Sequence, residues 1–172
     1  MPVLIYGHDE ALAKWCAMRI PHVGELGFGA CKAVGVATAP LGEPGAKLLA
    51  VCVYHNWIPI YGVCEISFAA SSPRWATRGV MRALLDIPFK QYKCRKVCLM
   101  IPMDNERALK FNEGIGFRRD GILRHHIADG RHAVVMSMMR SEYGEFLRRE
   151  TRDIRKRWAP QDVDAPKMEE AA

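Results

Sequence analysis

The sequence predicts an α/β (α+β) domain: a mixed, mostly antiparallel sheet flanked by helices, in the order β-α-β-β-β-α-β-α-β-β. Short apolar runs with strand-like alternation are interleaved with runs whose apolar residues recur every three to four positions, and Gly- or Pro-rich turns separate them. Size adds a third observation, because 172 residues suit one domain with one core.

Val3 to Tyr6 reads as a strand, followed from His8 by a helix with Leu12, Trp15, Cys16 and Ile20 on one face and Pro21 as its stop. Glycines 24, 27 and 29 mark a loop. Ala33 to Ala37, Leu48 to Tyr54 and Tyr61 to Ala70 then form an antiparallel meander, turning first at Pro40 to Gly45 and again at Asn56 to Pro59. The next helix starts at Gly79, presents Val80, Ala83, Leu84 and Ile87, and is kinked or ended by Pro88. Lys96 to Ile101 is a strand, and Asp104 or Asn105 can cap a helix running to Gly114. Phe117 to His126 and His132 to Met139 pair as a hairpin around Ala128, Asp129 and Gly130. The organisation expected is a core domain over residues 1–143, a basic helix over 144–158 and a loose tail over 159–172.

Composition narrows the function classes. Hydrophobic residues make up 49% and charged residues 26%, as in ordinary globular proteins. The longest apolar run, Leu48 to Tyr54, is too short to span a bilayer, and the first residues lack the pattern of a secretory leader, so a cytoplasmic location with no membrane partner is expected. The six cysteines lie in apolar stretches without a CxxC pair and read as free thiols; the adjacent His125 and His126 would point to opposite faces of a strand, so no metal site is expected. The net charge of +6 is unevenly placed. Residues 74–131 carry thirteen basic and six acidic groups, which suits an anionic ligand.

The turn Ser71 to Gly79 lies between a strand and a helix and carries Arg74 and Arg78. The first amides of a helix lack internal partners and sit at the positive end of its dipole, so the turn is a natural diphosphate seat. Solvated surface charge is the plainer reading of the two arginines. On the preceding strand, Cys64, Ile66 and Phe68 share one face, while Val63, Glu65, Ser67 and Ala69 share the other.

Arg74-x-x-Thr77-x-Gly79 resembles the pyrophosphate loop of the GNAT N-acetyltransferase superfamily. Asn105-Glu106-Arg107-Ala108, followed by Phe111, Gly116 and Phe117, resembles that family's Asn-x-x-Ala helix ending in Gly-Phe. The terminal hairpin, with Asp120-Gly121 and Asp129-Gly130-Arg131, is similar to the branch that acetylates ribosomal-protein N-termini. The resemblance covers about Pro2 to Tyr143. It implies an acetyl-CoA-dependent N-acetyltransferase acting on a primary amine, either a protein N-terminus or a small molecule. Backbone groups at Phe68 and Ala69 would meet the pantetheine arm in a gap between two splayed strands. The stretch Arg74, Trp75, Ala76, Thr77, Arg78 and Gly79 would hold the diphosphate, Asn105 would reach the arm from the other side, and Glu65 would be the general base.

Asn105 reads equally as a helix cap, and Glu65 equally as a strand carboxylate with a cationic partner. Thr77 stands where the family has glycine, and Asn112 where many members have a tyrosine that protonates the leaving thiolate. An acyl-CoA-binding protein with little or no turnover is therefore an alternative. A nucleic-acid or partner-binding module using the Arg-rich C-terminal helix is a further one, disfavoured by the acidic residues interleaved there. A homodimer is compatible with the hairpin edge, and the acceptor would be chosen by the loops Pro21 to Ala30 and His55 to Ile60.

Overall fold

The structure is a computed structural model in which residues 2–148 are described. Seven strands form one sheet: β1 (Val3–Ile5), β2 (Cys31–Ala37), β3 (Leu48–Ile58), β4 (Val63–Ala70), β5 (Lys96–Pro102), β6 (Arg118–Leu123) and β7 (Ala133–Met139). Their order is β1-β2-β3-β4-β5-β7-β6. All neighbours are antiparallel except β4 and β5.

Alternation along each strand divides the apolar residues between two faces. Cys52 and Tyr54 of β3, Cys64 and Ile66 of β4, and Val97, Leu99 and Ile101 of β5 enter the larger core. That core is closed by α2 (Arg78–Asp86), α3 (Glu106–Ile115) and α4 (Arg140–Arg148). Val51, Val53 and Ala69 point the other way into a smaller core under α1 (Asp9–Ala17). Both faces are thus covered at β3 and β4, which explains why Leu48 to Tyr54 reads as an almost unbroken apolar run.

Polar contacts fix the helices to this frame. Asp9, in the first turn of α1, accepts from the Ala33 amide at 2.8 Å and from Lys32 Nζ at 2.8 Å. Helix α1 stops at Ala17, one turn before Pro21, and two turns lead the chain onward. Pro88 does not end its helix abruptly. Instead α2 runs into one wide turn of π type, Ile87–Gln91, which absorbs the missing amide. Strand β3 extends past Tyr54 to Ile58, and β6 ends at Leu123, before the two histidines.

Helix α4 begins at Arg140, earlier than the expected start at 144, and its first turn is tied down where the Arg140 guanidinium donates to the Cys94 carbonyl at 2.7 Å and the Tyr143 hydroxyl bonds Asp86. The expected basic helix over 144–158 is therefore described only to Arg148. Its remainder and the tail at 159–172 lie outside the described residues. Among the described residues no helix is long and apolar enough to cross a membrane.

Candidate functional site

Strands β4 and β5 are paired over only three rungs, Val63 with Lys96, Cys64 with Val97 and Glu65 with Cys98. Beyond Glu65 they diverge. The backbone edge of β4 from Ile66 to Ala70 that faces β5 is therefore left without a strand partner, although its opposite edge stays bonded to β3. A cavity of about 620 Å³ fills the gap. It passes through the sheet: Ile20, His22 and Ser67 border it on the α1 side, and Trp75, Ala108 and Phe111 on the α3 side.

Three buried polar atoms without hydrogen-bond partners, Trp75 Nε1, Asn112 Oδ1 and His22 Nδ1, all belong to residues lining this cavity. Buried polar groups are normally paired, because leaving one unmade costs about 1–3 kcal/mol. A donor, an acceptor and an imidazole nitrogen left open along one cavity fit a ligand with amide and carbonyl groups.

The structure resembles solved N-acetyltransferases. A mutant form of the spermidine/spermine N-acetyltransferase SpeG from Vibrio cholerae matches over 68% of this chain and 69% of its own, at 18% identity and a TM-score of 0.56. A chimera of Vibrio cholerae SpeG with hSSAT matches over 83% of this chain and 98% of its own, at 15% identity and a TM-score of 0.63. No family model and no curated protein matches the sequence. The fold is that of the GNAT N-acetyltransferases.

These neighbours do not single out the ribosomal-protein branch within the GNAT fold. Of the residues expected to meet the cofactor, Phe68, Ala69, Trp75 and Asn105 line the cavity, whereas Arg74, Ala76, Thr77, Arg78 and Gly79 do not. Trp75 is no exposed feature of the turn. It is 1% exposed, with ring centroids 5.6 Å from Phe68 and 5.7 Å from Phe111, and it holds the splay open from inside. Ala76 is wholly buried beside it.

Thr77 is the N-cap of α2. Its backbone is extended, at φ −88°, and its hydroxyl accepts from the Val80 amide at 3.3 Å. The position therefore asks for a capping side chain and not for the left-handed freedom of glycine, which accounts for this departure from the loop pattern. Ser72 likewise accepts from the Arg74 amide at 3.3 Å, leaving the Arg74 side chain exposed at the mouth of the turn. The Arg78 guanidinium points elsewhere: it donates to the Leu147 carbonyl at 2.6 Å and ties α2 to α4. Only its main chain is at the helix start.

Asn105 combines its two expected roles in part, capping α3 by accepting from the Ala108 amide at 3.1 Å while bordering the cavity. Asn112 donates to the Ala108 carbonyl at 2.9 Å and keeps its oxygen free.

Glu65 sits on the last paired rung and does not line the cavity. It accepts from Asn56 Nδ2 at 2.9 Å, so its partner is an amide and not a cation. Directly across β3 from it is His55, 7% exposed, whose Nε2 lies 3.0 Å from the Ser67 hydroxyl. His22 and Ser67 are not among the expected site residues; His55 is expected only, together with Trp57, as a residue that could line the acceptor pocket or simply pack. Strand alternation already placed Ser67 on the face of Glu65, but only the register of β3 against β4 brings His55 to it. Trp57, the other acceptor-loop candidate, stacks on Tyr92 at 4.8 Å and is absent from the cavity wall.

Burial lowers the pKa of both histidines; Arg131 lowers His22 further, while Glu65 partly opposes the shift at His55. Both are therefore neutral in the fold where an unfolded histidine, with pKa near 6.5, begins to take up protons. The unfolded state then binds more protons than the native one, so stability is fully present above about pH 6.5 and falls as the pH drops below it. A second loss follows below about pH 4. Lys32 holds the Asp9 carboxyl down, and at Asp86 and Asp120 burial pushes upward but is outweighed by hydrogen bonds from Lys90 and Tyr143 and from Lys96 and Ser137. Urea midpoints measured at several pH values should decline from pH 7 to 5.5; a flat profile there would contradict the burial of the two imidazoles.

Proposed function

We propose that the chain is an acetyl-CoA-dependent N-acetyltransferase that moves an acetyl group to a primary amine. The observation that carries this reading is the strand splay, with its free β4 edge and a cavity whose unpaired donor and acceptor, Trp75 Nε1 and Asn112 Oδ1, lie along the path a pantetheine arm would take. The arm carries two amides. Main-chain groups of Phe68 and Ala69 would pair with them as a strand would, with Trp75 Nε1 donating and Asn112 Oδ1 accepting from the other wall. The first amides of α2, at Arg78 and Gly79, and the exposed Arg74 side chain would take the diphosphate.

The thioester would then lie beside Ser67, with the acceptor amine arriving from the α1 side past His22. Attack needs an uncharged amine. An α-amine, with pKa about 7.7–8.0, is partly neutral at pH 7, whereas a lysine amine is not. Orientation within the splay and β4 amides at the developing oxyanion would supply most of the rate. Asn112 cannot protonate the departing thiolate, but a thiol of pKa about 8.5 leaves without much assistance.

The charged residues lining the cavity are Arg19, Arg107, Arg131 and Asp104, three cations to one anion. SpeG is named for spermidine, a polycation; this wall suits an acceptor of lower positive charge better, such as a peptide N-terminus.

Release of CoA thiol, measured with acetyl-CoA and a panel of peptide N-termini and polyamines, tests the proposal. Turnover is expected with α-amines and little with spermidine. Acetyl-CoA at a hundred times its dissociation constant should add about 2.7 kcal/mol of stability, a rise in melting temperature of roughly 5–10 °C. Absence of any shift would remove the cofactor site, and a shift without thiol release would favour an acyl-CoA-binding protein.

A further inference from the structure

We propose that the transfer uses a proton path from the acceptor amine through the Ser67 hydroxyl to Nε2 of His55, with Glu65 acting on His55 and not on the substrate. This rests on the acetyltransferase reading and assigns its base. Ser67 lines the cavity, whereas His55 and Glu65 do not. The Ser67 hydroxyl links the cavity to the titratable pair, 3.0 Å from the imidazole.

The surroundings of His55 favour this role. Cys31 of β2 and Glu65 of β4 are its register partners on either side, and the Phe28 ring packs 5.0 Å from its own. Burial pushes the Cys31 thiol up, with Asp9 adding and Lys32 opposing, and it stays uncharged at neutral pH. Cys98, beyond Glu65 on β5, is also pushed up by burial. Glu65 is thus the anion facing the imidazole across the sheet, and Asn56 holds it in place. Desolvation keeps His55 neutral and ready to accept a proton; the Glu65 charge stabilises the imidazolium once formed.

The step balances as follows. The amine lone pair forms the C–N bond, and the carbonyl π pair moves onto oxygen. As the nitrogen loses its proton to Ser67 Oγ, the serine proton moves to His55 Nε2, whose partner nitrogen Nδ1 carries the ring hydrogen. Collapse of the oxyanion breaks the C–S bond and leaves CoA thiolate, an amide and the imidazolium. The imidazolium proton passes back to thiolate or solvent.

Steady-state kinetics over pH 5.5–9 with the α-amine peptide, on wild type and Ser67→Ala, Ser67→Thr, His55→Gln and Glu65→Gln, test this path. Ser67→Ala and His55→Gln should each lower kcat about 100-fold, with the acetyl-CoA thermal shift retained. Ser67→Thr, which keeps a hydroxyl, should recover most of the rate. The amine's own ionisation gives every variant one acidic limb in kcat/KM; His55→Gln should lose the second, lower limb that the imidazole adds, and Glu65→Gln should move that lower limb to still lower pH. Turnover surviving Ser67→Ala within about threefold, or a lower limb unchanged in His55→Gln, would overturn the path alone. Wild type that acetylates no amine would overturn the acetyltransferase reading and the path with it.

Discussion

Replacing Trp75 by alanine is expected to lower folding stability by about 3–5 kcal/mol and the melting temperature by roughly 10–20 °C. The indole is almost fully buried and lies between Phe68 on β4 and Phe111 on α3, so it joins the two walls that the splay separates. No strand pairing replaces it there, because β4 and β5 have already parted at Glu65 and Cys98. The lost side chain would leave a void where the sheet is weakest.

Trp75→Phe separates packing from ligand contact. It keeps most of the apolar volume and removes the unpaired Nε1 donor, so the melting temperature should fall by only a few degrees. If the indole nitrogen meets a pantetheine carbonyl, acetyl-CoA affinity should drop about 5–10-fold, the worth of one hydrogen bond of roughly 1 kcal/mol. Calorimetric affinity equal to that of wild type would show that the donor faces no ligand.

The sequence made the strand meander, the starts of the first three helices and the turn Ser71 to Gly79 legible, because alternation, caps and turn residues are local signals. The splay between β4 and β5 was expected from resemblance, and the three-rung pairing confirms it. Less visible was what each side chain of the turn does. Thr77 precedes Val80 by three residues, which is N-cap spacing, so the residue that departs from the glycine motif is itself a local cap signal.

Arg78 shows the other limit. Its partner Leu147 is 69 residues away, and no period or motif connects them. The same holds for His55. Its pairing with Glu65 depends on the register of β3 and β4, which is set by the short turn Pro59–Tyr61 and by an irregularity between His55 and Ile58. A one-residue slip would have put Tyr54 or Asn56 in its place.

Gly79→Asp should leave the fold intact or slightly stabilised while weakening acetyl-CoA about 100-fold. Gly79 is exposed in the first turn of α2, its φ lies outside the left-handed range, and a Cβ added there would meet nothing within 4 Å. Nothing among the described residues therefore requires glycine. A side chain at this position is worth up to about 1 kcal/mol of helix propensity, and a carboxylate near a helix N-terminus adds about 0.3–1 kcal/mol through the dipole. A diphosphate seated on the same amides would meet that carboxylate directly, and like charges so placed cost several kcal/mol, enough for the loss.

Gly79→Ala gives the neutral comparison: stability gained, with affinity reduced only by the bulk of a methyl group. Melting curves with and without acetyl-CoA read both effects in one experiment. Undiminished binding by Gly79→Asp would place the diphosphate elsewhere, and Arg74 would then be surface charge. A large loss accompanied by a raised melting temperature has no structural explanation among the described residues, and leaves an anion at the start of α2 as the reason the position is glycine.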